Sequence, residues 1–274
     1  MDSTHYNIYI NSKNIDIRDR GFNFGDGLFE TILVKNNKPR NLKDHFQRLK
    51  KGCELLKIKS PSFKLIQFYS RKAISKNSNC ILKIYITRGS NNQGYTFGQN
   101  IVHNLYFRVI SELSTITKLT GLNLKISKNI LCQNTYYGGV KHMNRIEQSL
   151  AAYDLLHNFK YDDMILINDK KNIIETISSN IFFVKQLKSK FNFYTPKLGK
   201  FGVEGIMRNK VIEWLKKKKY KLVAKHIGVK TIHEYDYCFI TNSIKGLRFI
   251  KKINTIKFRD PNPLLEIMES LIIK

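Results

Sequence analysis

Strand-like and helix-like segments alternate along almost the whole chain, and this alternation restricts the fold more than any single motif does. Residues 28–34 and 81–87 are rich in β-branched and aromatic side chains, as buried strands are. From Asp44 onward, apolar residues recur at the spacing of an amphipathic helix, and a further helical pattern covers residues 205–217. The order of these patterns predicts a mixed α/β fold, in the broad sense that includes α+β.

A polar, weakly patterned stretch at residues 113–120 separates two halves that are each rich in predicted strands. We therefore predict a small N-terminal α/β domain at residues 1–112, a linker at 113–120 and a larger C-terminal domain with a mixed sheet at 121–274. The first strands should form an antiparallel sheet. Strands are predicted at residues 7–10, 15–17, 28–34, 81–87, 105–110, 122–126, 164–167, 181–184 and 237–241, and helices at 44–56, 63–74, 145–159, 205–217 and after Pro263.

The 274-residue chain carries a formal net charge of +27. Clustered cations bind nucleic acids because they release counterions from phosphates. The lysines here are scattered, however, and only residues 216–219 form a run of any length. We interpret the excess charge as solvated surface and expect no nucleic-acid partner. A basic nucleic-acid-binding protein is the remote alternative, without a recognised helix-turn-helix, zinc-finger or RNP-type pattern to support it.

The four cysteines, Cys53, Cys80, Cys132 and Cys238, are far apart and form no C-x-x-C pair. This spacing argues against a zinc site or a disulfide framework, so no metal is expected and a reducing cytosol fits. The first residues lack the apolar core of a signal peptide, and no apolar run approaches the ~18 residues of a membrane span. We expect a soluble cytoplasmic protein with no membrane partner.

Three motifs in the first half contain residues that often carry chemistry, and each also has an ordinary structural interpretation. RGFNFGDGLFET, from Arg20, has the glycines of a tight loop that leads into a strand. HFQRL, from His45, places Arg48 near His45 on one side of a helix, where arginine either faces solvent or binds a phosphate with paired donors. TRGSNNQGY, from Thr87, is a polar loop that suits a hairpin tip or a substrate contact.

The second half contains three further candidates. Lys141 follows two glycines and precedes an amphipathic helix in the stretch GGVKHMNRIEQSLAAYDLL. Glu175 ends a strand in IETISSN, at a place where a surface glutamate is also common. The Gly-rich loop TPKLGKFGVEGIMR leads into a helix at Gly205, where free N–H groups and the helix dipole suit a phosphate, although a simple turn has the same pattern.

The order of these motifs resembles the fold type IV pyridoxal-phosphate-dependent enzymes, the class IV aminotransferase family. The resemblance runs from DRGFNFGDGLFET at Asp19 through GVKHMNRIEQ at Gly139 to FITNSIKG at Phe239, almost the whole chain. It implies a two-domain fold, pyridoxal 5'-phosphate as cofactor in the larger domain, and a homodimer with active sites between the small and large domains.

The resemblance also implies a role for individual residues. The lysine that is joined covalently to the cofactor matches Lys141, which would act as the catalytic nucleophile and base and therefore needs a partly desolvated setting. The carboxylate partner of the pyridine nitrogen matches Glu175. The cofactor phosphate would be bound by Arg48, by the backbone N–H groups of Ile206 and Met207, and by Ser243.

Within the family, KHMNRIEQ from Lys141 and RGSNNQGY from Arg88 look most like aminodeoxychorismate lyase, which forms 4-aminobenzoate for folate synthesis. D-amino-acid aminotransferases have an R-x-H pattern in that loop, where this chain has Gln93 and Tyr95. Similar lyases often have arginine in place of Gln93, and Arg88 or Arg145 would compensate for its absence. We therefore expect a small-molecule lyase with aminodeoxychorismate as substrate and Arg88, Gln93, Tyr95 and Arg145 as substrate contacts. A D-amino-acid or branched-chain aminotransferase is the alternative.

Overall fold

The computed structural model describes residues 5–74, 79–92, 94–111, 119–133, 136 and 138–271. The described residues form two compact units. The first unit lies within Met1–Thr115 and also includes Val140–Asn144, and the second lies within Ile116–Gly139 and Arg145–Lys274. The predicted domain bounds placed Val140–Asn144, and with it Lys141, in the C-terminal domain, whereas these residues belong to the first unit. Of the predicted linker, residues 113–118 lie outside the described part of the chain.

The first unit contains a five-stranded sheet built from β1 (Tyr6–Ile10), β2 (Gly27–Lys35), β3 (Lys38–Pro39), β4 (Cys80–Thr87) and β5 (His103–Ile110). The strand order is β1-β5-β4-β2-β3. β1 runs parallel to β5, and the other neighbours are antiparallel. Alternation along β2 points Leu28, Glu30 and Ile32 to one buried face.

The helices of the first unit are α1 (Arg20–Phe24), α2 (Leu42–Leu56) and α3 (Phe63–Ile74). The apolar stripe of α2 includes Phe46, Leu49 and Cys53, which are all buried. Gly52 allows α2 to approach β2 closely, because a Cβ atom at this position would lie 2.9 Å from Leu28 Cδ1. The side chains of α2 and β2 are therefore packed against each other.

The second unit contains a nine-stranded mixed sheet. Its members are β6 (Leu122–Ile130), β7 (Asp163–Ile167), β8 (Ile173–Thr176), β9 (Asn180–Leu187), β10 (Lys190–Pro196), β11 (Lys221–Lys225), β12 (Tyr237–Asn242), β13 (Gly246–Ile253) and β14 (Ile256–Lys257). The order is β11-β10-β9-β12-β13-β6-β7-β8, with β14 paired to β13. The pairs β10–β11, β13–β6 and β6–β7 are parallel, and the others are antiparallel.

Three helices accompany this sheet, α4 (Ile146–Leu156), α5 (Ile206–Lys217) and α6 (Asn262–Met268). Val211 and Leu215 of α5 are fully buried in a cluster with Phe182 and Phe239, whose rings stack with centroids 4.9 Å apart. A separate apolar cluster packs Ala151 of α4 against β7 and β8. These clusters hold α4 and α5, which carry candidate site residues, on the sheet.

The mixed α+β class is confirmed, as are the helices and most of the strands, but the strand predicted at residues 15–17 is wrong. Ile15 and Ile17 are 61% and 71% exposed, and the Asp16 carboxylate accepts hydrogen bonds from the backbone N–H and the guanidinium of Arg18, which favours a turn. The first sheet is not purely antiparallel, because β1 pairs in parallel with β5. β3, β10, β11, β13, β14 and α1 were not predicted.

Candidate functional site

Lys141 lies in the segment Val140–Asn144 of the first unit, and its backbone is bonded to the start of β2. The Phe29 N–H donates to the Lys141 carbonyl at 3.0 Å, and the Met143 N–H donates to the Gly27 carbonyl at 3.0 Å. These bonds hold the backbone at Lys141 and directly after it beside β2. Pairing over this sequence distance explains why residues 140–144 belong to the first unit.

The Lys141 amine lies over an aromatic ring. Its Nζ atom is 4.1 Å from the centroid of the Phe29 ring, a distance typical of a cation–π contact. The side chain is half-buried, and the ring shields the amine from solvent on one side. Lys141 therefore has the partly desolvated, defined position that distinguishes it from a solvated surface lysine.

Glu175 lies on β8 in the second unit and is 5% exposed. The Val203 N–H donates to Glu175 Oε2 at 2.8 Å, and Gln148 Nε2 donates to Oε1 at 3.4 Å. Gly202 has a φ of +61°, and a Cβ atom there would lie 3.0 Å from Glu175 Oε2. The loop before α5 thus packs on a buried carboxylate whose two oxygens each accept a hydrogen bond.

The start of α5 is shaped to receive an anion. Gly205 occupies the N-cap in an extended conformation, and no side chain in the described part of the chain caps the helix there. The N–H groups of the first turn, which include those of Ile206 and Met207, are available to an anion, and the helix dipole favours negative charge. Arg208 adds a buried cation to the same turn, and burial lowers its pKa. An anion would offset both positive contributions.

Ser243 lies in the turn between β12 and β13. Asn242 Oδ1 holds this turn by accepting hydrogen bonds from the N–H groups of Ile244 and Lys245 at 3.0 Å and 2.7 Å. Thr241, just before the turn, is 1% exposed, and its Oγ1 has no hydrogen-bond partner among the described residues. Buried hydroxyls are normally paired, so Thr241 is a polar group with capacity for a ligand or a water. The sequence patterns did not predict a role for Thr241.

Arg48 and His45 lie one turn apart on α2 and both bind Glu30 of β2. Arg48 donates from Nε to Glu30 Oε1 at 2.8 Å and from a terminal nitrogen to Oε2 at 2.5 Å, and His45 Nδ1 lies 2.6 Å from Oε2. The bidentate pair fixes the plane of the guanidinium. The motif predicted that the two α2 residues share one side of the helix, and this is confirmed. Their carboxylate partner was missed, although a glutamate within an apolar strand was a visible signal.

The charge on Glu30 is strongly favoured in the folded protein. Burial alone would raise the pKa of this carboxyl group, but the charges of Arg48 and His45 and their hydrogen bonds lower it to about 2 from the ordinary 4.5. Glu30 is 1% exposed. A glutamate that is ionised at neutral pH therefore holds the Arg48 guanidinium in one orientation.

Arg88 has contacts that tie parts of the first unit together. It donates to both carboxylate oxygens of Asp26, at 2.7 Å and 3.1 Å, and to the carbonyls of Leu56 and Lys57 at the end of α2. Its guanidinium carbon also lies 4.5 Å from the centroid of the Phe97 ring. These bonds use four of its N–H groups, so the contacts that the structure gives Arg88 are structural, and its substrate contact stays a prediction.

The other three residues predicted to touch the substrate differ in their settings. Tyr95 is 83% exposed, and its carbonyl accepts a hydrogen bond from Arg20 at 3.1 Å. Arg145 is half-buried at the N-cap of α4 in the second unit. Gln93 lies outside the described residues. Substrate contacts by these side chains also stay predictions.

Each unit, taken by itself, contains groups that suit pyridoxal phosphate. The first unit contains the Lys141 amine and the oriented guanidinium of Arg48. The second unit contains the buried Glu175 carboxylate and the start of α5, which no described side chain caps. An amine for the aldehyde, a carboxylate for the ring nitrogen and N–H donors for the phosphate are what this cofactor requires. Among the described residues, no cluster of His, Cys, Asp and Glu suits a metal ion. None of the helices in that part of the chain is long and apolar enough to span a membrane.

Comparison with known proteins gives concordant matches. The family model described as Amino-transferase class IV matches residues 27–253. The chain is 27% identical over 245 residues to an aminodeoxychorismate lyase of Vibrio harveyi, with 88% of each protein covered. It is 23% identical over 264 residues to a probable branched-chain-amino-acid aminotransferase of Rickettsia conorii, which covers 88% of this chain and 82% of that protein.

The fold matches solved structures over nearly its full length. A putative 4-amino-4-deoxychorismate lyase of Legionella pneumophila superposes with a TM-score of 0.86 at 23% identity, covering 97% of this chain and 98% of that one. At this level of identity the likeness concerns the fold.

Proposed function

This chain belongs to the class IV aminotransferase family, and we propose that within it the protein is a 4-amino-4-deoxychorismate lyase. The predicted fold type IV family and its cofactor, pyridoxal 5'-phosphate, are confirmed at the family level. The proposed reaction eliminates pyruvate and gives 4-aminobenzoate.

The observation that carries the proposal is the segment from Lys141 to Gln148. Its sequence, KHMNRIEQ, looks more like that of aminodeoxychorismate lyase than like those of other members of the family, and here the Lys141 amine lies over the Phe29 ring while its backbone is bonded to β2. The lyase of Vibrio harveyi is also more similar in sequence than the aminotransferase of Rickettsia conorii, at 27% against 23% identity. The R-x-H pattern of D-amino-acid aminotransferases is missing from the loop with Tyr95.

In the proposed reaction, Lys141 performs the proton transfers and the cofactor accepts the electrons. When bound, pyridoxal phosphate supplies an electron sink for the pair of electrons that a broken C–H bond leaves. Lys141 removes the proton from the ring carbon that bears the substrate's amino group. The neighbouring carbon–oxygen bond then breaks, the ring becomes aromatic, and Lys141 gives the proton to the departing enolpyruvyl group, which becomes pyruvate. The substrate divides into two products without another reactant.

The remaining residues hold the cofactor. Glu175 keeps a proton on the pyridine nitrogen, which increases the capacity of the ring to accept electrons. Arg48, oriented by Glu30, binds the phosphate with its guanidinium, and the first turn of α5 adds backbone N–H groups. Ser243 offers a hydroxyl from the turn after β12.

The test is a product assay. Purified protein with pyridoxal phosphate and aminodeoxychorismate should form 4-aminobenzoate and pyruvate in equal amounts. Lys141→Ala should abolish both products and the visible absorbance of the bound cofactor. Lys83→Ala is the matched control, since Lys83 also belongs to the first unit and lies over an aromatic ring, with Nζ 5.9 Å from the Tyr85 centroid. This variant should keep both properties.

An aminotransferase is the second candidate, and Gln93 is the observation that favours it. Similar lyases often have arginine there, which a dicarboxylate substrate would use, and the Rickettsia conorii relative is named as an aminotransferase. D-alanine or leucine with 2-oxoglutarate distinguishes the two functions. Transfer of the amino group from either donor, without release of pyruvate from aminodeoxychorismate, would replace the lyase proposal.

We also propose that the protein is a homodimer, and the outer face of α4 supports this. Ile146, Leu150 and Tyr153 are spaced to share one face of the helix and are 67%, 49% and 60% exposed in the single chain. Such a stripe is typical of a covered surface. Leu150→Glu should shift the protein toward monomer in sedimentation equilibrium, whereas Lys216→Glu on α5 should not. A wild-type protein that is monomeric at micromolar concentration would refute the dimer.

A cytoplasmic location is part of the proposal. All four cysteines are free thiols, and Cys53, Cys80 and Cys238 are buried, which suits a reducing compartment. Fractionation of the native host should place the protein with soluble cytosolic markers. Recovery in a membrane or secreted fraction would contradict this location.

A further inference from the structure

An amide occupies a place on α4 that is otherwise apolar. Gln148 and Ala151 are the buried residues of this helix, and Leu155, one turn further along the same face, packs against the same apolar cluster. That cluster includes Ile174, the neighbour of Glu175 on β8. Gln148 is only 9% exposed, so its side chain is largely shielded from solvent within the second unit.

The Gln148 carboxamide has one satisfied end and one unsatisfied end. Nε2 donates to Glu175 Oε1 at 3.4 Å, whereas Oε1 is buried and has no hydrogen-bond partner among the described residues. Rotation of the amide by half a turn would place its carbonyl oxygen against the carboxylate, which repels it. The orientation is therefore set by Glu175, although it leaves a buried acceptor unpaired.

This arrangement is unfavourable for stability alone. A buried acceptor without a partner is costly, and an aliphatic side chain of similar length would fill the same space without it. The amide provides one thing that an aliphatic residue lacks, an N–H donor to the carboxylate. Together with the Val203 N–H, which binds Oε2 at 2.8 Å, this donor fixes the plane of the carboxylate from two sides.

We propose that Gln148 is a positioning residue that holds the Glu175 carboxylate in the orientation needed to bind the pyridine nitrogen of the cofactor. The inference rests on the proposed role of Glu175 and concerns cofactor binding, so it applies equally to a lyase and to an aminotransferase. Gln148 acts through Glu175 and touches neither the substrate nor the reacting atoms.

The test compares Gln148→Met with a matched control. Methionine keeps the length of the side chain and removes the donor. The pH at which the visible absorption band of the bound cofactor changes should move in Gln148→Met, and the dissociation constant for pyridoxal phosphate, measured on apoprotein, should rise about tenfold. Gln186→Met is the control, because Gln186 is a glutamine of the same unit whose amide bonds to Tyr237 and the Lys188 carbonyl. It should leave both readouts unchanged, and equal readouts in all three proteins would overturn the inference.

A double-variant cycle separates this inference from the proposed function. If Gln148 acts through Glu175, then Gln148→Met should have no further effect on the absorption band once Glu175→Gln is present. An additional effect of the same size in that background would overturn the positioning role. If Glu175→Gln alone leaves the absorption band unchanged, the proposed role of Glu175 fails, and the inference built on it fails with it. Loss of lyase activity, by contrast, leaves the inference standing.

A second variant keeps the test decisive should Gln148→Met fold poorly. Gln148→Glu places a second carboxyl group beside Glu175, and at neutral pH two like charges should weaken pyridoxal phosphate binding more than the methionine does. As the pH falls and the new carboxyl group becomes protonated, it can donate to Glu175 as the amide does, and affinity should recover relative to the wild type. Affinity that falls in parallel in both proteins from pH 8 to pH 5 would contradict the inference.

Discussion

Replacing Glu30 by glutamine tests whether the ionic contacts between Glu30 of β2 and the α2 residues His45 and Arg48 stabilise the first unit. The pKa of Glu30 is about 2 in the folded protein and 4.5 ordinarily, because Arg48 and His45 outweigh the effect of burial. Each pKa unit corresponds to about 1.4 kcal/mol, so the ionised carboxylate contributes about 3 kcal/mol at pH 7. Removing one member of a buried ion pair costs about 3–5 kcal/mol in other proteins, which agrees with this figure.

The same values fix the pH dependence. Because the folded-state pKa is lowered, the contribution is fully present above pH 4.5 and is lost as the pH falls through 2. At pH 3 about 1.4 kcal/mol should remain. The difference in unfolding free energy between wild type and Glu30→Gln should therefore shrink by more than half between pH 7 and pH 3.

Urea unfolding of the apoproteins, followed by circular dichroism, measures this difference without a contribution from bound cofactor. Glu213→Gln is the control, since Glu213 is 69% exposed and pairs with Lys210 at 3.9 Å. It should cost less than about 1 kcal/mol at either pH. A Glu30→Gln variant within about 0.5 kcal/mol of wild type at pH 7, or a difference that stays constant down to pH 3, would refute the reasoning.

Three further outcomes follow from single residues. Burial lowers the pKa of His103, whose Nε2 accepts from the Lys59 N–H and whose Nδ1 donates to the Arg88 carbonyl. The midpoint of its NMR titration should therefore lie below pH 6.5. Because the folded protein favours the neutral imidazole, the stability that His103 contributes above pH 6.5 should be lost as the pH falls through that midpoint. Iodoacetamide should label exposed Cys132 first in the folded protein, because Cys53 is buried and its pKa is raised to about 12, mainly by burial; mass spectrometry that finds Cys53 labelled equally fast would contradict this. Gly202→Ala should weaken cofactor binding and lower the unfolding free energy, measured with urea, by about 1–3 kcal/mol. The reason is that residue 202 has a left-handed backbone conformation and that a Cβ atom there would press against Ile174 and Glu175. An unchanged cofactor affinity together with an unchanged unfolding free energy would show that the loop can move away.

Elements with a strong local pattern could be predicted from the sequence. β2 and β4 have dense β-branched and aromatic residues, and α2 and α5 have clear apolar stripes. The false strand at residues 15–17 had the alternation of a strand, but Ile15 and Ile17 face solvent and Asp16 caps a turn. Short alternation alone does not show whether a partner strand is present.

Pairings between segments that are far apart in the sequence could not be predicted from local patterns. The parallel pairing of β1 with β5 and the return of residues 140–144 to β2 each join segments that are about a hundred residues apart, and nothing in either segment specifies the partner. For the same reason, the spacing of His45 and Arg48 predicted their shared helix face but not Glu30. Gln148 belongs to the KHMNRIEQ motif, but its contact with Glu175 could not be predicted, because that contact requires α4 to lie beside β8.

The most direct test of the central claim is to find where the cofactor is attached. Borohydride reduction of the protein with pyridoxal phosphate, followed by proteolysis and mass spectrometry, should place the phosphopyridoxyl group on Lys141. Lys141→Ala should carry no stoichiometric label, while Lys83→Ala should be labelled as the wild type is. Stoichiometric labelling of a different lysine, or none at all in the wild type, would contradict the account.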